Sequence, residues 1–534
     1  MFYLKQVETL SRVTLSKPLS TVHRELITPE AIEFLTRLHT LFEDRRRKLL
    51  ARRSLVQREL DMGIFPNFIE STRGIREGMW RVRPAPAGLA DRMVEIMAPA
   101  GNTRSMITGY NSGANVLVAD FEDTQSPSWS NTMEGHRNLR DTVRGNLTFL
   151  TAGGEKYGLN ADKPTLMVRL RGWHMSEKHF CLDTEPMSAS LFDFGLFMFH
   201  NGRELVERGS GPYFYLPKIE NRFEAALWNE AFVFAEEYLG IPPSSVRATV
   251  LVDSVLAVFE MDEILYELRD RSAGLSCGQW NYLFSMTKNF KGHKRFVLPD
   301  RGLLTMDRKF MHAYLTLLIQ TCHRRGAHAI GGMPPRILPG DDPAAAERVI
   351  YDFRREKFRE ARAGFDGTRI GDAGLVGTAQ DAFGSVMTAT NQLGELRTDT
   401  TVCADDLLRV THGDITEAGL RTNIDSGIRY IEAWLSGTGE IPLDHLMVDA
   451  CGADFSRAQV WQWLRHSVRM KDGNVLTPSV FRKIFAGEVE NIRHGVGPER
   501  HRRGHFDLAS RLYFNLVHHQ EFPQFFTTTA YQYL

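Results

Sequence analysis

The chain is poor in the features that usually sort a sequence quickly. Only five of its 534 residues are cysteines, at positions 181, 277, 322, 403 and 451, and no two form a CxxC pair. An odd, scattered set argues against a disulfide framework and a cysteine-based zinc site, and suits a reducing compartment. Excess charge of either sign is missing, since Lys plus Arg and Asp plus Glu both number 65. That removes the usual reason to expect a nucleic-acid or anionic-membrane partner. No apolar run reaches the ~18 residues that a bilayer crossing needs. The opening "MFYLKQVETL" lacks the basic start and apolar core of a signal peptide, and the closing "AYQYL" carries no organelle address. A cytoplasmic location is the expectation. Internal repeats and low-complexity tracts are absent as well.

The remaining composition is ordinary for a soluble enzyme: 43% hydrophobic and 24% charged residues, in a chain long enough for two or three domains. Residues 1–75 read as helices, with apolar positions three and four apart in "AIEFLTRLHTLFEDRRRKLLARRSLVQRELD" and the charges of "EDRRRKLLARR" on a solvated face. A proline-bearing linker, "VRPAPAGLADR", comes next. Short β-rich runs then alternate with helical pattern: "ANVLVADFED", "PTLMVRLRG", "GPYFYLPKIE", "VRATVLVDS", "AGLSCGQWNYLF", "KRFVLP" and "AHAIGGM". Their near-continuous apolar cores suit parallel strands covered on both faces. Polar residues gather at their C-terminal ends, as in a (β/α)8 barrel or a doubly wound open sheet. After about residue 380 only helical periodicity remains. The predicted division is a helical segment over 1–90, an α/β segment of one or other of these two architectures over 91–385 and a helical domain over 386–534.

Several residues suit chemistry. In "VRLRGWHM", Arg169 and Arg171 sit two apart on one strand face, placed either to stabilise an enolate or carboxylate or to form a structural ion pair. His174 and His179 lack a metal-chelating spacing. Asp253 and Asn281 end successive predicted strands, where oxygen side chains could hold Mg2+ with waters and substrate. Glu260, Asp262, Glu263 and Glu267, on the helix between, are expected to be solvated. The acidic cluster "DFED" (120–123), Asp120 and Glu122 in particular, fits either a metal site or the bracing of an arginine. Asp449, in an apolar setting before a helix, is either a general base or a helix N-cap.

Together, "ADFEDTQSPSW", "VRLRGWHM", "SLFDFGLFMFHN", "GSGPYFYLPKIE", "FEMDEILYELRDRSAGLSCGQWNYLF", "VLPDRGLLTMD", "AGLRTNIDSGIRYIEAWLSG" and "SRAQVWQWLRH" resemble the malate synthase family in its shorter, A-type form, in that family's order over roughly residues 40–534. The resemblance implies a TIM barrel with an N-terminal helical clasp and a C-terminal helical plug, acting as a monomer. It implies a Claisen condensation of an acyl-CoA with a 2-oxo acid, acetyl-CoA and glyoxylate in the family. Arg169 would stabilise the enolate and Asp449 would be the base, with Asp120 and Glu122 behind them. Gly278, Gln279 and Trp280 would cradle the substrate, and Asp253 and Asn281 would hold Mg2+. The family's pattern has glutamate and aspartate at those last two positions. The first change shortens reach by about 1.5 Å and the second removes a formal charge, so a weakened metal site is expected. Other departures are Arg369 for a tryptophan, Asp372-Ala373 for His-Pro, "GGMPPRILP" for "GGMAAFIP", and Val448 for an acidic residue; they are expected near the acyl-CoA entry. The edits leave open a different acyl donor or 2-oxo acid, the cleavage direction, or a non-catalytic relative.

Overall fold

The computed structural model describes residues 12–534, so the opening "MFYLKQVETL" lies outside the described residues. Eight parallel strands form the central sheet: β1 (Val94–Pro99), β2 (Val116–Asp120), β3 (Thr165–Arg169), β4 (Tyr213–Leu216), β5 (Arg247–Val252), β6 (Ser272–Cys277), β7 (Ala329–Ile330) and β8 (Thr368–Ile370). They are ordered β7-β6-β5-β4-β3-β2-β1-β8. A parallel bridge between Ile330 and Gly367 joins the two ends and closes the barrel. The strands are almost wholly buried because helices cover them outside and side chains fill them inside.

A charged layer sits inside. Arg92 donates to Glu95 at 2.7 Å, to the Ala273 carbonyl at 2.5 Å and to Thr249 at 3.0 Å, and the Tyr215 hydroxyl donates to Glu95. This neutral cluster ties strands of the barrel together below the C-terminal mouth. Close strand approach also depends on glycine. Gly274 has φ +113°, and a Cβ there would stand 2.1 Å from the His328 carbonyl oxygen.

The long helix α1 (Pro29–Asp61), capped by Thr28, packs against α2 (Ala189–Glu207) and α3 (Arg222–Leu239) on the barrel's outside. Its charges are not all solvated. Glu43 and Arg46 are buried and paired at 2.7 Å, Arg46 also donates to the Trp173 carbonyl, and Arg53 pairs with Glu224 at 2.7 Å. The N-terminal segment is not purely helical either, because Val13–Leu15 pairs with Ser176–Leu182 in a separate antiparallel sheet.

Beyond the barrel, helices α5 (Glu417–Leu435), α6 (Ala450–Arg465), α7 (Pro478–Val496) and α8 (Phe506–His518) form a second core. Gly427 lets α5 pack on α8, since a Cβ there would overlap the Tyr513 ring at 2.1 Å. Helix α6 packs on α4 (Gln279–Asn289) at the barrel mouth. One strand pair, Ile441–Leu443 with Leu446–Val448, interrupts the expected all-helical run.

Four further expectations are corrected. "KRFVLP" is a 3-10 turn over Lys294–Phe296, because the barrel's next strand is the short β7. Strands β1 and β8 are absent from the predicted set; β8 has only three residues and an arginine at its centre. Asn281 lies in the first turn of α4, not at a strand end. Glu263 and Asp262 are buried in ion pairs with Arg76 and Arg325 at 2.6 and 2.7 Å, so arginines rather than water balance them.

Replacing Gly274 by Ala is expected to cost at least ~1 kcal/mol, since the new Cβ meets backbone. The same change at Gly302, where a Cβ meets nothing within 4 Å, should stay within about 0.5 kcal/mol. Urea unfolding of both variants compares them.

Candidate active site

Helix α6, the strand pair before it and the C-terminal ends of the barrel strands enclose a cavity of about 230 Å³. Arg169, Gly278, Gln279, Trp280, Asn281 and Asp449 all line it. Most of the candidates named from sequence therefore meet in one place.

The centre is Asp123, the acid of the "DFED" cluster that was not picked out by itself. It pairs with Arg169, receives the Lys218 ammonium at 3.2 and 3.3 Å, and accepts from the Asn281 amide at 3.1 Å. Burial raises its pKa, but Arg169 and Lys218 together hold it well below the usual carboxylate range. Its main-chain oxygen accepts from Ala450 N at 3.0 Å, which ties α6 to the barrel at this point. The signal was in plain sight as the last residue of "DFED".

Asp120 braces this arrangement. One oxygen accepts from Glu122 N at 2.8 Å; the other accepts from Thr124 N at 3.0 Å, from its hydroxyl at 2.9 Å and from Arg169 at 3.2 Å. Arg169 is held by two carboxylates, while its Nε has no protein partner. The ion-pair and catalytic readings are thus compatible: a fixed guanidinium retains a donor. Arg171 does not share its face. The strand ends at Arg169, and Arg171 turns outward to Asp193 at 2.7 Å and Glu177 at 2.8 Å. Glu122 accepts from Gly172 N at 2.8 Å, and burial pushes its carboxyl up.

Asp449 is both N-cap and cavity residue. It accepts from Gly452 N at 2.8 Å, which fixes the carboxylate at the start of α6. Burial first, and then the nearby Asp123 charge, push its pKa up to about 6, against the pull of Gly452, Arg169 and Lys218. A carboxylate tuned towards neutrality is a stronger base than an ordinary one and is still ionised at pH 7. Glu440, another lining residue not singled out from sequence, is pushed up to about 8 by burial and by Asp120 and Asp449.

The substrate-cradle candidates differ among themselves. Gly278 N donates to the Tyr314 hydroxyl at 3.2 Å, so its N–H is already engaged within the protein. No side chain caps α4, which leaves the first turn beginning at Gln279 and Trp280 as the anion-attracting end. The Gln279 amide donates to the Leu304 carbonyl at 2.9 Å. Trp280 forms a wall, with the Arg301 guanidinium 4.7 Å from its ring.

Asp253 does not line the main cavity. Both of its oxygens accept from Lys218 N at 3.1 Å, and the Lys218 ammonium lies 3.9 Å away. The same ammonium donates to the Asn281 amide oxygen. Lys218 holds this position with φ +58°, a backbone region that non-glycine residues seldom occupy. Asp253 and Asn281 thus face a common cation, and their oxygens are the hard donors that Mg2+ takes. The chemistry fits a Mg2+ held with one carboxylate, in competition with an ammonium. Among the described residues no group of three or more His, Cys, Asp or Glu could hold a metal.

Of the sequence departures, Pro334, Pro335, Arg336, Arg369 and Val448 line the cavity. Asp372 instead accepts from Leu338 N at 2.7 Å and fixes the loop.

Replacing Asp123 by Ala leaves two buried cations each short of one carboxylate and is expected to destabilise the fold by about 3–5 kcal/mol. Chemical denaturation measures it, and a loss under about 1 kcal/mol would show that solvent already screens the cluster.

Three family models match the chain: malate synthase, N-terminal domain, over residues 12–73; malate synthase, TIM barrel domain, over 165–410; and malate synthase, C-terminal, over 414–534. The malate synthase of Myxococcus xanthus is 48% identical over 509 residues, covering 95% of this chain and 94% of that one. Malate synthase A of Escherichia coli is 41% identical over 99% of both chains, and the glyoxysomal malate synthase of Gossypium hirsutum is 43% identical over 96% of this chain and 91% of its own. Among solved structures, CitE from Mycobacterium tuberculosis with magnesium and acetate covers 57% of this chain and 95% of its own at 14% identity and a TM-score of 0.35, too distant to bear on the chemistry.

Proposed function

The chain belongs to the malate synthase family, and we propose that its cavity joins acetyl-CoA to glyoxylate, giving malate and free CoA. The observation that carries this reading is the convergence of Asp449 and Arg169 on one cavity. One is a carboxylate with its pKa lifted to about 6; the other is a braced guanidinium with an unpartnered Nε.

In this reading the ionised Asp449 carboxylate takes a proton from the acetyl methyl group. Negative charge then moves to the thioester oxygen, where Arg169 stabilises it without having to reorganise. The enolate carbon attacks the glyoxylate aldehyde, and the new alkoxide takes up a proton. Water then cleaves the malyl thioester, releasing malate and the CoA thiol. The uncapped start of α4 attracts the glyoxylate carboxylate, and Trp280 walls the space beside it. When held by Asp253 and Asn281, Mg2+ supplies Lewis-acid polarisation of the 2-oxo carbonyl; its binding is weakened by the missing second carboxylate. The protein works as a monomer in the cytoplasm in this reading, and the free cysteines of the described chain suit that reducing compartment.

Purified protein given acetyl-CoA and glyoxylate should release thiol and malate in equal amounts, and Asp449→Asn should lower kcat by about 10²–10⁴-fold. Because the base must be unprotonated, kcat/KM should fall as pH drops through about 6 and be level above it. A variant near full activity, or a flat acidic limb, would contradict the assignment. The double variant Asp253→Glu/Asn281→Asp should bind Mg2+ at least ~10-fold more tightly by calorimetry; unchanged affinity would show that these positions do not hold the metal.

A further inference from the structure

The floor of the cavity carries a charge that the proposed reaction does not use. Arg369 is the central residue of β8, level with Glu95 of β1, and its side chain points into the barrel. It is 3% exposed and its guanidinium stands 5.7 Å from the centre of the Tyr215 ring. One nitrogen donates to the Cys277 carbonyl at 2.5 Å. Its Nε has no acceptor, and among the described residues no carboxylate pairs with it.

Its neighbours are treated otherwise. Arg92, deeper in the barrel, is neutralised by Glu95, and Glu95 is further occupied by the Tyr215 hydroxyl. Arg247, also buried without a carboxylate and also with an unpartnered Nε, still gives one guanidinium nitrogen to three main-chain oxygens within 2.9 Å. Arg369 gives to one. A buried cation left this short of partners is costly unless an anion completes it, and Arg369 lines the cavity in which substrate is received.

The carbonyl that anchors Arg369 belongs to Cys277, the residue just before Gly278 and the uncapped start of α4. The guanidinium and the helix terminus therefore border the same end of the cavity. The diphosphate of CoA is too bulky and too strongly hydrated to be the missing anion at a floor residue so little exposed. A planar carboxylate matches the guanidinium fork.

We propose that Arg369 determines specificity by binding a carboxylate additional to the one on the 2-oxo end, so that the site takes 2-oxo acids with an acidic side chain as well as glyoxylate. The proposal rests on the reading of the cavity as a 2-oxo acid site, not on the identity of the acyl donor.

Calorimetry on the full chain tests it with two matched pairs. The first sets 2-oxoglutarate against 2-oxobutyrate, an acidic against a neutral side chain; the second sets malonyl-CoA against acetyl-CoA, to ask whether the acid arrives on the donor. Wild type should bind 2-oxoglutarate at least ~10-fold more tightly than 2-oxobutyrate. The preference should fall to within about threefold in Arg369→Gln and be partly restored in Arg369→Lys, which keeps a cation. No preference in the first pair, or one that survives Arg369→Gln, overturns the proposal. A preference confined to the malonyl-CoA pair overturns the acceptor assignment and transfers the carboxylate to the donor. Glyoxylate turnover, measured separately, distinguishes failure of the malate reaction from failure of the Arg369 subsite.

Discussion

The Asp123 carboxylate is the interaction on which the site depends. It lies where a buried anion would ordinarily take up a proton, yet Arg169 and Lys218 keep it ionised. In return it fixes the guanidinium that faces the cavity and holds the ammonium against Asn281. Its backbone oxygen docks the first turn of α6, so the helical domain and the barrel meet at this residue. The Asp123 charge also pushes up the pKa of Asp449 across the gap. Positioning, docking and tuning of the base thus share a physical origin.

Around that centre the site is rich in cations and short of free carboxylates. Asp120 and Asp123 are spent on Arg169 and Lys218, Glu122 and Glu440 are pushed towards their neutral forms, and Asn281 brings no charge. Such a site is well suited to carrying negative charge in an enolate or an additional carboxylate. Arg369 extends the same bias to the floor.

Much of this was legible in the residues, for reasons that differ from element to element. Buried parallel strands are near-continuous apolar runs, so β2 to β6 stood out. The three-residue β8 with a central arginine did not, because its pairing partners hold it in the barrel rather than its own composition. Asp449 could be placed at a helix start from its setting, but N-cap and base were both open readings; only the fold shows that one carboxylate serves as a cap while facing the cavity. Asp253 and Asn281 read as parallel strand ends. The chain instead turns at Gly278 into α4, which puts Asn281 in the cavity and Asp253 behind Lys218. Asp123 was hidden by its neighbours, since "DFED" offers three acids and sequence alone does not rank them.

The central claim, that Asp449 removes a proton from the acyl donor beside Arg169, is tested most directly by proton NMR of acetyl-CoA in D2O, without any 2-oxo acid. Wild-type protein should exchange the acetyl methyl protons for deuterium, and Asp449→Asn should not. Equal exchange in both would contradict the account and move the base to another residue of the cavity.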